Sequence, residues 1–278
     1  MDQTGGPQTS LVLNLVDKAN LVVAKEGSGD YTTISAAVAA SAKLRSGTSR
    51  YVMHVKAGIY NENVQITEST KNLMLIGDGI GATIVTSSRN TKDGSTTFRG
   101  CWRWLHWSGH DVSEHGRATE ESGGCPSVGS DLSVFYRCSF EGYQDTLYVH
   151  SQRQFYRNYD IYGTVDFIFG DAAIVFQSCN IFVRKPLANQ KNTVTAQGRS
   201  DPNENTGISI YGSVITAASD LKPVQGAFKT YLGRPWRKYS RTVVMKTSLD
   251  SVINPAEWLT SLIWHVYCAN DLGAETLR

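Results

Sequence analysis

Short apolar runs separated by Gly, Asn and Asp fill most of the chain, and they constrain its fold more than any other feature. The runs are four to six residues long and include 51–55, 72–76, 82–86, 164–169, 173–176 and 242–245. Runs of this length bounded by turn residues predict buried strands. Helical patterns do not alternate with them and tight hairpin signals are few, so neither βαβ units nor a meander is expected. The pattern predicts an all-β fold, a parallel solenoid.

One segment departs from this pattern. Residues 34–44 are rich in alanine and follow Thr33, whose side chain suits an N-cap, so a short N-terminal helix is predicted there. We expect residues 1–20 to form a poorly defined tail. Residues 21–278 are expected to form a single domain, because no linker or low-complexity segment interrupts them.

The charge balance and the cysteines exclude a few classes of protein. The 278 residues include 27 basic and 25 acidic side chains, and a net charge of +2 argues against a dedicated nucleic-acid binder. No run of 18 apolar residues occurs, so no membrane-spanning segment is predicted. Met1 to Gly6 lack the features of a signal peptide, so we expect any secretion signal to have been removed. Five cysteines without a CxxC pair indicate neither a disulfide framework nor a zinc site.

Asp145 and Asp166 are the first candidates for chemistry. They lie 21 residues apart, and one coil of a β-helix takes on the order of 20–25 residues, so their carboxyl groups would stack about 4.8 Å apart. Two carboxylates that close cannot both ionise cheaply, and one would remain an acid beside a nucleophile or base. The alternative is two unrelated turn aspartates. However, Asp166 stands among apolar residues, where an unused carboxylate is costly.

At these residues the chain resembles the plant-type pectin methylesterases (pectinesterases). Collinear matching motifs lie at 23–33, 77–79, 93–98, 142–148, 163–170, 194–199 and 231–236. The likeness covers about residues 20–100 and 129–258. It implies a right-handed parallel β-helix that hydrolyses the galacturonate methyl esters of pectin to acid and methanol.

The resemblance also implies roles for single residues. Asp166 would be the nucleophile, Asp145 the proton donor and later the base, and Gln144 a hydrogen-bond donor to the oxyanion. The substrate-binding residues implied in the same way are Arg234, which would also hold the Asp166 carboxylate, and Trp236, Thr97, Tyr148 and Phe169. The reaction needs no metal and no other cofactor.

The resemblance further implies the partners and the location. Pectin, as methyl-esterified homogalacturonan, is the expected substrate, and a proteinaceous pectinesterase inhibitor is a second expected partner. We expect a secreted monomer that acts in the cell wall and binds neither nucleic acid nor membranes.

Residues 101–128 depart from the family. Where the motif Gln-Ala-Val-Ala-Leu-Arg is expected, the chain reads Glu-Ser-Gly-Gly-Cys-Pro-Ser at 121–127. Codons for this stretch can be chosen so that a shift of one base spells the missing motif, and the same shift from Trp104 to Glu121 yields family-like text. We hypothesise two compensating frameshifts, near residues 101 and 128. Ser122 then replaces a second oxyanion donor, and we expect the chain to be poorly folded or nearly inactive.

The same block contains two further anomalies. It holds Trp102, Trp104 and Trp107 and an apparent metal constellation of His106, His110, Asp111, Glu114 and His115. The spacing of the constellation matches no standard metal site, so no metal is expected there. Outside the block, Cys138 and Cys179 match family cysteines, and the usual partner position of Cys179 is Ser213. The likeness fades after Trp258, so we expect the C-terminal cover to be incomplete and an edge to be exposed.

Two other functions are compatible with these residues. A non-catalytic β-helix that binds pectin through Arg234 and Trp236 is favoured by the serine at position 122. A β-helical polysaccharide lyase is less favoured, because such enzymes bind Ca²⁺ with a carboxylate cluster and the sequence offers one close aspartate pair. Release of methanol distinguishes an esterase from both.

Overall fold

The structure, a computed structural model, describes residues 15–44, 49–62, 64, 66, 72–86, 99–102, 105–106, 127–129, 131–259 and 267–269. For 99–102, 105–106 and 267–269 the backbone alone is described. Thr97, Ser122, most of the predicted tail and the metal constellation beyond His106 lie outside the described residues.

The described residues include 23 strands, one complete α-helix and one 3₁₀-helix, and residues 15–16 are also helical. The helices are α1 (Ile34–Leu44) and the 3₁₀-helix Lys222–Ala227. The strands are β1 (Leu21–Val23), β2 (Tyr51–Val55), β3 (Gly58–Asn61), β4 (Leu73–Gly77), β5 (Thr83–Thr86), β6 (Arg99–Trp102), β7 (Leu105–His106), β8 (Ser127–Val128), β9 (Ser133–Tyr136), β10 (Ser139–Glu141), β11 (Leu147–Val149), β12 (Arg153–Arg157), β13 (Asp160–Gly163), β14 (Ile168–Gly170), β15 (Ala173–Gln177), β16 (Asn180–Val183), β17 (Asn192–Gln197), β18 (Gly207–Tyr211), β19 (Val214–Ala217), β20 (Thr230–Pro235), β21 (Thr242–Met245), β22 (Ser248–Leu249) and β23 (Tyr267–Ala269).

These strands form three sheets that wind into a right-handed parallel β-helix. Sheet A has ten strands in the order β1-β2-β4-β7-β9-β12-β15-β18-β21-β23, and sheet B has eight in the order β22-β19-β16-β13-β10-β6-β5-β3. Sheet C has five strands in the order β20-β17-β14-β11-β8. Among the strands described, every pairing is parallel except those of β6 and β7. The predicted all-β, parallel β-helix is therefore confirmed.

Each complete coil contributes one strand to each sheet, as β12, β13 and β14 do. Leu147 pairs with Ile168, and Ile168 pairs with Thr195, so residues at one position of successive coils stack on each other. The interior is apolar, and Phe135 stacks on Tyr156 with 4.5 Å between ring centroids. Since fully burying one large apolar side chain contributes about 1.5–3 kcal/mol, such stacks hold consecutive coils in register.

Helix α1 packs against the N-terminal coils and has the predicted bounds. Thr33 Oγ1 accepts a hydrogen bond from the amide of Ala36 at 3.3 Å, as an N-cap does. The Glu62 carboxylate accepts hydrogen bonds from the amides of Ile34 and Ser35, both at 2.8 Å. A negative charge at a helix N-terminus also suits the helix dipole. In the described part of the chain, no helix has the length and apolar character needed to cross a membrane.

The strands β6 and β7 run against the direction of their neighbours. β6 pairs antiparallel with β5 and β10, and β7 pairs antiparallel with β4 and β9. Parallel pairing resumes at β8, where Ser127 lies opposite Tyr148. The first reversed strand therefore begins close to the start of the anomalous block 101–128, and parallel pairing is present again at the end of the block. A reversed strand still satisfies the backbone groups of both neighbours, which explains how the coil stack continues across it. The frameshifts themselves remain a prediction.

A buried ladder lines the turn between sheets A and B. The residues at this position in five successive coils are Cys138, Tyr159, Cys179, Ser213 and Thr247. Cys138 and Cys179 are both buried, and neither is in a disulfide in the described part of the chain. They lie two coils apart, about 10 Å, which is beyond the reach of a disulfide. Ser213 lies beside Cys179, whose amide donates to Ser213 Oγ at 3.1 Å.

The variant Ser213→Cys is expected to form a disulfide with Cys179. One strand spacing, about 4.8 Å, falls within the range that a disulfide spans. The bridge would raise the free energy of unfolding by roughly 2–4 kcal/mol. Burial raises the pKa of the Cys179 thiol to about 12, so oxidation should be carried out during refolding.

Thiol titration and urea denaturation with and without reductant measure this effect. The double variant Cys179→Ser, Ser213→Cys is the matched control and should show no stabilisation that reductant abolishes. If Ser213→Cys refolds under oxidant with all its thiols free, the register of β16 against β19 is wrong.

Candidate active site

Asp145 and Asp166 hold equivalent positions in two successive coils. Asp145 lies in the turn before β11 and Asp166 in the turn before β14, and the pairing of these strands sets them side by side, about 4.8 Å apart along the helix axis. Both residues have left-handed backbone, with φ of 54° and 51°. This conformation costs a non-glycine residue on the order of 1 kcal/mol or more, although Asp tolerates it better than most. The same strained turn thus presents both carboxyl groups.

Asp166 is buried, with 6% of its surface exposed. Its Oδ1 accepts hydrogen bonds from Arg234 Nε at 2.9 Å and from Thr193 Oγ1 at 2.6 Å, and its Oδ2 accepts one from Arg234 Nη2. The amide of Asp166 donates to Thr193 Oγ1 at 2.9 Å. A bidentate guanidinium compensates the burial of a carboxylate, so Arg234 stabilises the buried side chain of Asp166 and fixes its orientation.

Asp145 lies in a different environment. It is half-buried, and its carboxyl group has no hydrogen-bond partner within the part of the chain that the structure describes. Burial and, to a lesser extent, the negative charge of Asp166 raise the pKa of Asp145 to about 7, and Arg234 offsets part of the rise. Below about pH 7, Asp145 is therefore a neutral acid beside the Asp166 carboxylate.

Gln144 lies in the turn that Arg184 holds from two coils away. Arg184 Nη1 donates to the carbonyl of Gly142 at 3.2 Å, and Nη2 donates to the hydroxyl of Tyr143 at 3.0 Å. The guanidinium carbon also lies 4.0 Å from the centroid of the Tyr143 ring. Gln144 is half-buried beside Asp145. Its amide therefore extends from a turn that a cation–π contact and two hydrogen bonds immobilise.

An aromatic cluster flanks the carboxyl groups. Tyr148 and Phe169 stack with 4.8 Å between ring centroids, and Trp236 meets Phe169 edge-on at 6.0 Å. Gly198 provides the space for this indole, because a Cβ there would lie 2.8 Å from Trp236 Cε3. Trp236 keeps 40% of its surface exposed. The cluster offers a flat apolar face of the kind against which a sugar ring packs.

A groove of about 860 Å³ begins at Tyr148 and Trp236 and continues past them. Beyond the aromatic rings its lining is polar and charged, and includes Arg153, Asp171 and Glu204. Asp145 and Asp166 are not among its lining residues. The groove therefore extends the aromatic cluster and lies beside the carboxyl pair without containing it.

The structure brings together most of the residues that the sequence singled out. Asp166 and Arg234 are in contact, Asp145 and Gln144 share the neighbouring turn, and Tyr148, Phe169 and Trp236 form one cluster. Thr97 lies outside the described residues.

Two residues that contact this machinery were not predicted. Thr193 lies one coil after Asp166, but 27 residues along the chain, so the 21-residue separation of the aspartates does not lead to it. Arg184 follows β16 and gives no sign in the sequence that it reaches Tyr143. Only the register of the strands places these residues. The pairing of Ile168 with Thr195 aligns Thr193 with Asp166, and the pairing of β10, β13 and β16 brings Arg184 to the turn of Tyr143.

Among the described residues, no group of three or more His, Cys, Asp or Glu side chains is close enough together to hold a metal ion. The constellation around His110 lies outside those residues.

Known proteins are similar to this chain in both fold and sequence. A model of the Pectinesterase family matches residues 20–271. Pectinesterase 2 of Citrus sinensis is 56% identical over 258 residues, which is 91% of this chain and 50% of that protein. A pectinesterase of Daucus carota is 54% identical over 270 residues, covering 92% of this chain and 84% of the relative. The solved pectin methylesterase from carrot has a TM-score of 0.77 at 47% identity, covering 91% of this chain and 81% of that one.

Fold and site together define a parallel β-helix protein with a paired-carboxyl centre beside an aromatic cleft. The chain belongs to the pectinesterase family, and the resemblance noted in the sequence is confirmed. It spans about half the length of the Citrus relative.

The variant Asp145→Asn is expected to gain stability with rising pH relative to the parent chain. The folded-state pKa of Asp145, about 7, lies above the ordinary value of 3.8. The parent therefore loses stability as pH rises from about 4 to 7, because the unfolded chain releases this proton while the folded chain keeps it. Asparagine stays neutral throughout. Urea denaturation at pH 4 and pH 8 should show a relative gain on the order of 1–3 kcal/mol.

The variant Asp131→Asn serves as a control of opposite sign. In the parent chain, the hydrogen bond from Arg153 lowers the pKa of the Asp131 carboxyl group to about 2. Removing this charge should therefore lower the free energy of unfolding at pH 8. If the free energy of unfolding of Asp145→Asn changes with pH in parallel with that of the parent between pH 4 and pH 8, the assignment of a raised pKa to Asp145 is wrong.

Proposed function

We propose that this chain hydrolyses the methyl esters of galacturonate in pectin, with Asp166 as the nucleophile. One observation carries the proposal: a buried carboxylate, held by Arg234, lies one coil away from a carboxyl group whose pKa is raised to about 7. An uncharged ester needs a nucleophile, an acid for its leaving group and a donor for its oxyanion. Asp166, Asp145 and Gln144 supply these three functions within two neighbouring turns.

The reaction proceeds in two steps, formation of an acyl-enzyme and its hydrolysis. Asp166 attacks the ester carbonyl carbon, and the carbonyl oxygen becomes an oxyanion that accepts a hydrogen bond from the amide of Gln144. The intermediate collapses, the bond to the methoxy oxygen breaks, and Asp145 gives its proton to the departing methanol. A water molecule then loses a proton to Asp145 and attacks the acyl-enzyme. Collapse releases the galacturonate acid and restores Asp166 as a carboxylate.

The cleft supports a polymeric sugar substrate. Tyr148, Phe169 and Trp236 provide apolar faces next to the carboxyl groups, and the groove of about 860 Å³ continues from them. A chain of sugar units can lie along both while one ester is at Asp166. We propose that residues 21–278 act as one unit on pectin in the cell wall. An inhibitor protein as partner remains a prediction from the family resemblance.

The variant Asp166→Asn is expected to lower methanol release by roughly 10³-fold or more, because it removes the nucleophile. Asp145→Asn should lower it by roughly 10²–10⁴-fold, since the methanol would leave without a proton donor. Asp160→Asn is the matched control, because that carboxylate accepts a hydrogen bond from Asn180 at the start of β13, away from the site. Methanol release from methyl-esterified pectin measures all three.

Retained turnover in Asp166→Asn, or an equal loss in Asp160→Asn, would contradict the assignment of the nucleophile. A parent chain that folds but releases no methanol would overturn the proposed activity.

A second candidate function is non-catalytic binding of pectin. It is favoured by the reversed strands β6 and β7, which precede the coil of Gln144, and by the serine at position 122. Loss of one oxyanion donor costs about 10²–10³ in rate. The two functions are separated by measuring methanol release and retention on immobilised pectin with the same preparation. Retention that depends on Trp236 without any methanol would establish the binding function.

A further inference from the structure

We infer that Thr193 is a positioning residue that decides which oxygen of Asp166 attacks the ester, and that this oxygen is Oδ2. The inference rests on the proposed function and extends it to a residue and an atom that the sequence did not indicate. It follows from counting the hydrogen bonds at the carboxylate.

The two oxygens of Asp166 are unequally engaged. A carboxylate oxygen has two lone-pair directions in which it accepts hydrogen bonds. Oδ1 uses both, since it accepts from Thr193 Oγ1 at 2.6 Å and from Arg234 Nε at 2.9 Å. Oδ2 accepts one hydrogen bond from the described residues, that of Arg234 Nη2. The lone pair available for attack is therefore on Oδ2.

Thr193 creates this inequality, and Arg234 does not. The guanidinium gives one hydrogen bond to each oxygen, so by itself it leaves the two oxygens equivalent. The threonine hydroxyl adds a bond to Oδ1 alone. A carboxylate that can turn about its own axis presents either oxygen, whereas one tied at Oδ1 presents Oδ2.

The hydroxyl of Thr193 also ties the side chain of Asp166 to its own backbone. Thr193 Oγ1 accepts the amide proton of Asp166 at 2.9 Å while it donates to the carboxylate of the same residue. The left-handed turn at Asp166, with φ of 51°, and the orientation of its carboxylate are thus held by one atom. Because the hydroxyl oxygen accepts the Asp166 amide proton, the hydroxyl proton is directed at Oδ1.

The fold holds Thr193 rigidly. It lies in β17, directly opposite Asp166 in the next coil, and 1% of its surface is exposed. Its amide donates to the carbonyl of Thr164 at 3.1 Å, and it pairs with Tyr231 of β20 on the other side. Strand pairing on both sides fixes the backbone, and a β-branched side chain in a strand has restricted χ1 freedom.

This arrangement has a consequence for the acyl-enzyme. When Oδ2 forms the bond to the ester carbon, Oδ1 becomes the carbonyl oxygen of the resulting anhydride and keeps its two donors, Thr193 and Arg234. Those donors withdraw electron density from Asp166 and make it a better leaving group when water attacks the sugar carbonyl. Charge then returns to a carboxylate that is already hydrogen-bonded.

The test compares Thr193→Val with Thr193→Ser. Valine keeps the shape and removes both the donor to Oδ1 and the acceptor of the Asp166 amide proton, whereas serine keeps the hydroxyl. We expect Thr193→Val to lower kcat by at least about 10-fold with KM within about 2-fold of the parent, because the lost bond acts on the reacting carboxylate. Thr193→Ser should keep kcat within about 3-fold.

A change in the pH profile separates positioning from packing. A carboxylate that loses a hydrogen-bond donor holds a proton more tightly. In Thr193→Val the acid limb of the kcat/KM profile should therefore move to higher pH, and in Thr193→Ser it should stay in place.

The variant Thr195→Val is the matched control. Thr195 lies in the same strand, is equally buried, and donates to the carbonyl of Leu232 at 3.0 Å instead of to Asp166. It should lose stability but keep kcat and the acid limb.

The outcomes are distinct. An active parent with an unchanged kcat and acid limb in Thr193→Val overturns this inference and leaves the proposed function intact. A Thr193→Ser variant as impaired as Thr193→Val overturns it too, since packing would then explain the loss. A folded parent that releases no methanol overturns the proposed function and, with it, the role of Oδ2.

Discussion

Repulsion between two carboxyl groups one coil apart is the constraint on which the site depends. Parallel stacking sets Asp145 and Asp166 side by side, and two negative charges at that distance in a partly buried site are unfavourable. Burial favours the neutral form of Asp145, the charge of Asp166 adds to this effect, and Arg234 contacts Asp166, so the proton is held by Asp145. The difference between a nucleophile and an acid thus arises from two identical side chains in unequal surroundings.

The coil repeat also aligns other functional side chains along the helix axis. Asp145, Asp166 and Thr193 occupy equivalent positions in three successive coils at the edge of sheet C, and Tyr148 and Phe169 share a position within the sheet. Polar and aromatic columns therefore run in parallel at a spacing of about 4.8 Å.

The sequence predicted those features that depend on local pattern. Short apolar runs predicted the solenoid, Thr33 predicted the start of α1, and the spacing of Asp145 and Asp166 predicted that they lie side by side in successive coils. Thr193 and Arg184 were not predicted, because coil lengths vary along the chain. A residue 27 positions beyond Asp166 is aligned with it only by strand pairing. The antiparallel direction of β6 and β7 was not predicted either, because strand direction depends on the neighbours and not on the segment itself.

Asp145 owes its proton to burial and to the charge of Asp166. The most direct test is a ¹³C NMR titration of the Asp145 carboxyl group in the parent chain and in Asp166→Asn. We expect a midpoint at about pH 7 in the parent. In Asp166→Asn the midpoint should be lower, because the repelling charge is gone and Arg234 is released from its partner. A midpoint near the ordinary value of 3.8 in the parent, or one that does not fall in the variant, would contradict it.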